Sequence, residues 1–161
     1  MPANEVTNIV VAGLGGQGVL RAAEVVAGVA FAAGLDVKKS EVHGMSQRGG
    51  SVMCDVRYGP QVWSPMVPPG EADYLVVLAP DQVEVNRGRL RAGGILVTPD
   101  AVAGVVLPDK RSMNMALLGG LGGFLLSGLE SGAGSMQLWS VAGMSFRLTL
   151  AAAWTRESGW V

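Results

Sequence analysis

The chain has 161 residues, 49% hydrophobic and only 16% charged. That is one domain's worth of polypeptide with apolar residues to spare for a partner interface, and it excludes a disordered tail. Twelve basic and 13 acidic residues leave a net charge of −1, and there is one cysteine; this excludes nucleic-acid binding by the chain as a whole, a disulfide framework, a cysteine zinc site and an iron–sulfur site within it.

Residues 1–8 lack the basic-then-apolar run of a signal peptide, so a cytoplasmic location is expected. Residues 8–12 (NIVVA) form an apolar run ended by Gly13, as in a strand buried on both faces. Residues 19–33 are Ala-rich and stop at Gly34, which predicts a helix with glycine just past its end. A second strand is expected over 36–42, and a polar, Gly-rich loop over 43–50 (HGMSQRGG). The third strand, 51–58, turns Val52, Cys54, Val56 and Tyr58 to one face, which makes Cys54 an inert core thiol. Gly59-Pro60 marks a turn, with 61–63 returning as a hairpin, and three prolines make 64–70 a loop. Residues 74–79 (YLVVLA) read as another buried strand and 80–90 as a short helix with proline in its first turn. A strand over 95–98 follows a Gly93-Gly94 turn. A Gly-rich buried helix is expected over 113–129 and a last helix over 137–154, with Trp139, Trp154 and Trp160 as core or interface anchors. The run 112–129 is uncharged, but five of its positions are glycine and it holds Asn114 and two serines, so no membrane association is expected. No repeat or boundary divides the chain, so one domain over 1–161 is expected. Alternating strands and helices predict an α/β fold with a mostly parallel sheet.

Two segments carry chemistry. Gly13-Leu14-Gly15-Gly16-Gln17-Gly18 follows a strand and opens a helix, the context a G-x-G-x-x-G pattern requires. Glycines let backbone approach a phosphate, the helix N-terminus offers free N–H groups, and Arg21 adds charge nearby. The bland alternative is tight strand–helix packing. Glu41 stands near the place of the ribose-binding acid of a dinucleotide fold, which keeps open a stand-alone nucleotide-binding module or an NAD(P)-dependent reductase. The second segment holds the chain's single histidine, His43, beside Ser46, Gln47 and Arg48. His43 suits proton transfer and Arg48 a carboxylate or phosphate, whereas the bland alternative is a loop that satisfies its own backbone. Arg87, Arg89 and Arg91 are expected to complement a helix C-terminus.

The strings NIVVAGLGGQGVL (8–20), EVHGMSQRGGSV (41–52), SPMVPPGEADYLVVLAP (64–80) and NMALLGGLGG (114–123) together resemble the gamma-type subunit of 2-oxoacid:ferredoxin oxidoreductases, in particular the indolepyruvate branch. The resemblance implies a Rossmann-like, gamma-type catalytic domain. It implies oxidative decarboxylation of a 2-oxoacid with thiamine diphosphate, transfer of the acyl group to coenzyme A, and electrons passed through iron–sulfur clusters to ferredoxin. By that likeness Gly13, Gly15, Gly16, Gln17, Gly18 and Arg21 would meet the coenzyme A phosphates, and His43, Ser46, Gln47 and Arg48 would face the active-site cleft. Thiamine diphosphate, magnesium and the clusters would sit on a large partner subunit, and this chain alone would be inactive. The sequence departs from the family over 99–113, where relatives have a further strand and helix, and over 124–161, so the sheet is expected to be trimmed.

Overall fold

The computed structural model describes residues 6–44, 49–102, 114 and 116–119, all within a compact unit running Met1–Leu129. Five strands form one sheet: β1 Thr7–Leu14, β2 Asp36–His43, β3 Ser51–Gly59, β4 Ala72–Val77 and β5 Leu90–Val97. Their order is β2-β3-β1-β4-β5. β1 pairs parallel with β4, and β4 with β5; β3 pairs antiparallel with both β1 and β2. Four strands therefore run one way and β3 alone runs against them, which gives the expected α/β fold a mixed sheet.

β1 lies at the centre because both its faces are apolar. Every residue from Thr7 to Gly13 is buried. On one face Ile9 and Val11 join Cys54, Val56, Tyr74 and Val76, and helix α1 (Val19–Ala32) closes over them with Val19, Ala22, Ala23 and Val26. Leu117 and Leu118 complete that layer. On the other face Val10, Ala72, Leu75 and Val77 pack under Val67 of the proline-rich segment, with Val83 of the short helix α2 (Val83–Asn86) alongside. Burying each Val, Ile or Leu here contributes about 1.5–3 kcal/mol, so truncating Ile9 or Val11 loosens the α1 layer and truncating Val10 loosens the Val67 layer.

The proline-rich segment is held by charge. Asp55 of β3 is buried at 2% side-chain exposure. Its Oδ2 accepts the Val67 N–H at 2.9 Å, and both carboxylate oxygens accept Arg89 Nη2 at 2.9 Å. Arg57 donates to the carbonyls of Ser64 and Met66 at 3.0 and 3.2 Å.

Three expectations change. Residues 61–63 form no return strand; the Val62 N–H donates to the Asp36 carboxylate at 2.8 Å instead of joining a ladder. The helix over 80–90 breaks into two 3-10 turns, Pro80–Gln82 and Arg87–Arg89, around α2. The Asn86 amide takes the Gln82 carbonyl at 2.8 Å, competing with the helical ladder. Gly93 and Gly94 form no turn before a strand but lie inside β5, whose pairing with β4 shifts register between Ala72 and Tyr74. Most of 112–129 and all of 137–154 lie outside the described residues. Among the described residues no helix is long and apolar enough to cross a membrane.

Candidate functional site

β1 and β2 run the same way, so the loops that follow them leave the same end of the sheet. Carboxyl ends of strands are where open α/β sheets hold ligands. β3 runs back from that end and sits between β1 and β2. It brings Ser51 opposite Leu14, and the Gly15 N–H donates to the Gly50 carbonyl at 2.9 Å. On the other flank the Gly44 N–H donates to the Ser51 carbonyl at 2.8 Å. The two segments singled out in the sequence are thus hydrogen-bonded neighbours.

The 13–18 loop is built for close approach. A Cβ on Gly13 would stand 2.8 Å from Gln17 Oε1, 3.0 Å from Val19 Cγ2 and 3.1 Å from Leu78 Cβ. Only glycine lets β1, α1 and the end of β4 meet there. Gly15 and Gly16 are exposed at the loop's crest. Gln17 turns inward: its Oε1 accepts the Leu14 N–H at 2.7 Å, and its own N–H donates to the Leu14 carbonyl at 3.1 Å. Its side-chain oxygen therefore shapes the loop.

Gly18 caps α1 with φ 82°, a left-handed conformation that glycine adopts without steric cost. Among the described residues no side chain caps the helix, and no acid lies in its first turn. The first-turn N–H groups and the positive end of the dipole remain available to an anion. Arg21 is exposed one turn in, loosely paired with Glu24 at 3.9 Å. The backbone fits a phosphate group.

Sequence reasoning missed Asn114 as a member of this edge. Its Nδ2 donates to the Gly18 carbonyl at 3.4 Å, and it is buried against the space a Cβ on Gly18 would fill. The available signal was one amide in an apolar, glycine-rich run. His43 ends β2 opposite Val52. Ser46, Gln47 and Arg48 lie outside the described residues.

Other candidates are spent elsewhere. Glu41 lies on β2 opposite Cys54 and pairs with Lys39 at 2.8 Å. β3 separates it from β1, so two strand spacings of about 4.8 Å intervene where a dinucleotide fold has one. The arginine cluster serves no helix end. Arg87 pairs with Glu84 at 3.0 Å, Arg89 with Asp55 at 2.9 Å and Arg91 with Asp73 at 3.0 Å. Arg91 and Asp73, with Asn8 and Glu71, line a shallow depression at the opposite end of the sheet. Cys54 is buried, and burial pushes its thiol up to about 12. A protonated, buried thiol is neither a nucleophile nor a cluster ligand.

Known proteins share this arrangement. The family model described as pyruvate ferredoxin/flavodoxin oxidoreductase matches residues 8–117. The indolepyruvate oxidoreductase subunit IorB of Thermococcus kodakarensis is 45% identical over 111 residues, which are 68% of this chain and 52% of that protein. The chain thus spans about half the length of the curated relatives it matches. Among solved structures, the 2-oxoglutarate:ferredoxin oxidoreductase of Magnetococcus marinus, determined with 2-oxoglutarate, coenzyme A and succinyl-CoA bound, superposes with a TM-score of 0.61 at 23% identity, over 73% of this chain and 24% of that one. The gamma subunit of the keto/oxoacid ferredoxin oxidoreductase of Geobacter sulfurreducens gives 0.56 at 21%, over 71% and 75%. These two show the fold. The family match takes in the glycine loop, the 41–50 segment and Asn114 alike, and by it the chain belongs to the pyruvate ferredoxin/flavodoxin oxidoreductase family.

Proposed function

We propose that the chain is the gamma-type subunit of a cytoplasmic 2-oxoacid:ferredoxin oxidoreductase that acts on an aryl-pyruvate-like 2-oxoacid. Family membership and the relatives named as indolepyruvate oxidoreductase subunits support the reaction class. The Gly15–Gly50 hydrogen bond carries the site, because it joins the glycine loop to the histidine segment at one edge.

Coenzyme A, when bound, supplies the thiol that takes up the acyl group. The chain's part is binding and orientation. Gly13, Gly15, Gly16 and Gly18 leave the backbone open, the uncapped α1 terminus receives a phosphate, Gln17 holds the loop's shape, and Arg21 adds a mobile positive charge. For the reacting end the family resemblance assigns His43, Ser46, Gln47 and Arg48, with His43 to move a proton and Arg48 to hold a carboxylate. Iron–sulfur clusters do not fit this chain, whose single cysteine is buried, and its sequence has no G-D-G followed by Asn, the usual thiamine diphosphate and magnesium pattern. These cofactors belong to a large partner subunit that passes electrons to ferredoxin.

The test is affinity purification of the tagged chain from its native host. A brown partner carrying clusters and thiamine diphosphate is expected, with 2-oxoacid- and coenzyme A-dependent ferredoxin reduction by the complex. R21E in that complex should raise the coenzyme A KM several-fold while leaving the 2-oxoacid KM unchanged. A colourless chain that elutes alone, or oxidoreductase activity from the chain by itself, overturns the reading.

A further inference from the structure

α1 opens on a peptide unit with two working ends. The Gly18 carbonyl accepts the Ala22 N–H at 2.9 Å, the first rung of the helical ladder. The Val19 N–H belongs to the same planar unit. Among the described residues no peptide is cis, so that N–H points opposite to the carbonyl, out of the helix end. Whatever fixes the Gly18 oxygen therefore fixes the first donor that α1 turns toward an anion.

Gly18 does not fix itself. Its φ of 82° is one of several conformations open to a glycine. Asn114 supplies a restraint. Its Nδ2 donates to the same Gly18 carbonyl over a long 3.4 Å, and it stands where a Cβ on Gly18 would be. Asn114 is itself held in place. It is helical, as are 116–119, and Leu117 and Leu118 follow three and four residues on, which is one helix face. Both leucines are buried in the cluster that contains Val19, Ala22 and Ala23. An amide at 7% exposure thus ends a face that is otherwise apolar. Burying an amide costs free energy that burying a leucine does not. Packing alone gives no reason for an amide there, whereas a donor set on the Gly18 carbonyl does. Hydrogen bonds in a chain also polarise one another, so a second donor on this carbonyl makes the Val19 N–H a better donor in turn.

We propose that Asn114 is a positioning residue for phosphate binding: its amide holds the Gly18–Val19 peptide so that the Val19 N–H is aimed before the anion arrives. This rests on the reading that the α1 terminus takes a phosphate of coenzyme A. It uses the amide's bond to Gly18 and does not require the amide to be otherwise free.

Two variants of the purified complex test it. N114A and N114L both remove the donor without adding charge, and N114L keeps the position filled should N114A fail to fold. Calorimetric titration with coenzyme A should show binding weakened about three- to tenfold in each, the range of one hydrogen bond. The coenzyme A KM should rise by the same factor. The KM for pantetheine, which offers the thiol arm without any phosphate, should not rise. In the 15N-labelled full chain the Val19 amide proton should move upfield in both variants, because its peptide has lost a donor. Wild-type coenzyme A affinity in both variants, equal losses with coenzyme A and pantetheine, or an unmoved Val19 resonance would each overturn the proposal alone. A wild-type complex that binds no coenzyme A would overturn the reading beneath it, and the proposal with it.

Discussion

Gly13→Ala is the sharpest probe of how the glycine loop is built. The new methyl would stand 2.8 Å from Gln17 Oε1 and near 3 Å from Val19 and Leu78, on three different elements. Leu78 and Val19 are core residues and cannot retreat freely. Overpacking of this kind costs about 1–3 kcal/mol. The Gln17 side chain can move, but only by giving up its 2.7 Å bond to the Leu14 N–H, worth about 1 kcal/mol. Together G13A should lose about 2–4 kcal/mol. Gly28→Ala is the control: it lies within α1, exposed, with open space where the methyl would go. G28A should gain about 0.5–1 kcal/mol from helix propensity and a less flexible unfolded chain. Urea unfolding followed by circular dichroism reads both. Q17A should cost stability in the wild type and less in the G13A background, since the first substitution has already displaced the amide. A G13A midpoint equal to wild type, or fully additive G13A and Q17A effects, would refute the close-packed loop.

D55N should cost about 3–5 kcal/mol in the same assay, because it removes the carboxylate's charge beneath Arg89; D55N/R89M should cost less than the sum of its parts. Gly18→Ala should cost about 1–2 kcal/mol from its φ of 82° alone, and more from its collision with Asn114; N114A in the G18A background should relieve only the second part, and complete rescue would show that the backbone is unstrained. Burial raises the Cys54 thiol from 9.0 and the Tyr58 hydroxyl from 10.0, both to about 12. Both are neutral when protonated, so the stability they reflect is intact below the unfolded values and is lost as pH rises toward 12. Alkaline unfolding should begin above about pH 9, with Cys54 silent to a thiol reagent until the chain unfolds. Rapid labelling of the folded chain would contradict the burial.

What the sequence revealed was local and periodic. NIVVA and YLVVLA are buried on both faces and could hardly be anything but inner strands, and α1 is framed by glycines at both ends. The fold of 36–59 was less legible. Strands β2 and β3 were visible, but nothing in DVKKSEVH says that its hairpin partner returns between it and β1. Arg89 and Arg91 misled because their carboxylates lie far away in sequence: Asp55 is 34 residues from Arg89, whereas Arg87 pairs with Glu84 only three residues back. Asn114 was hidden for the same reason, 96 residues from the glycine it touches. Long-range pairs of polar groups leave no periodicity, so spacing along the chain cannot find them.

The insertion of β3 also decides what the glycine loop can recognise. A G-x-G-x-x-G turn after a first strand serves dinucleotides when the next strand beside β1 ends in an acid that reaches the ribose. Here the neighbour of β1 on the β2 side, β3, is antiparallel, so its first residues, not its last, arrive at the loop. They deliver the Gly50 carbonyl to Gly15, and with it the segment that begins at His43. Glu41 stays on the outer strand, engaged with Lys39. A ligand lying on α1's N-terminus would therefore have the Gly50 backbone beside the loop and not a ribose-binding carboxylate. Titration with NADH should show no saturable binding, and E41Q should leave coenzyme A affinity in the assembled complex unchanged. Saturable NADH binding abolished by E41Q would mean that the outer strand reaches the loop after all.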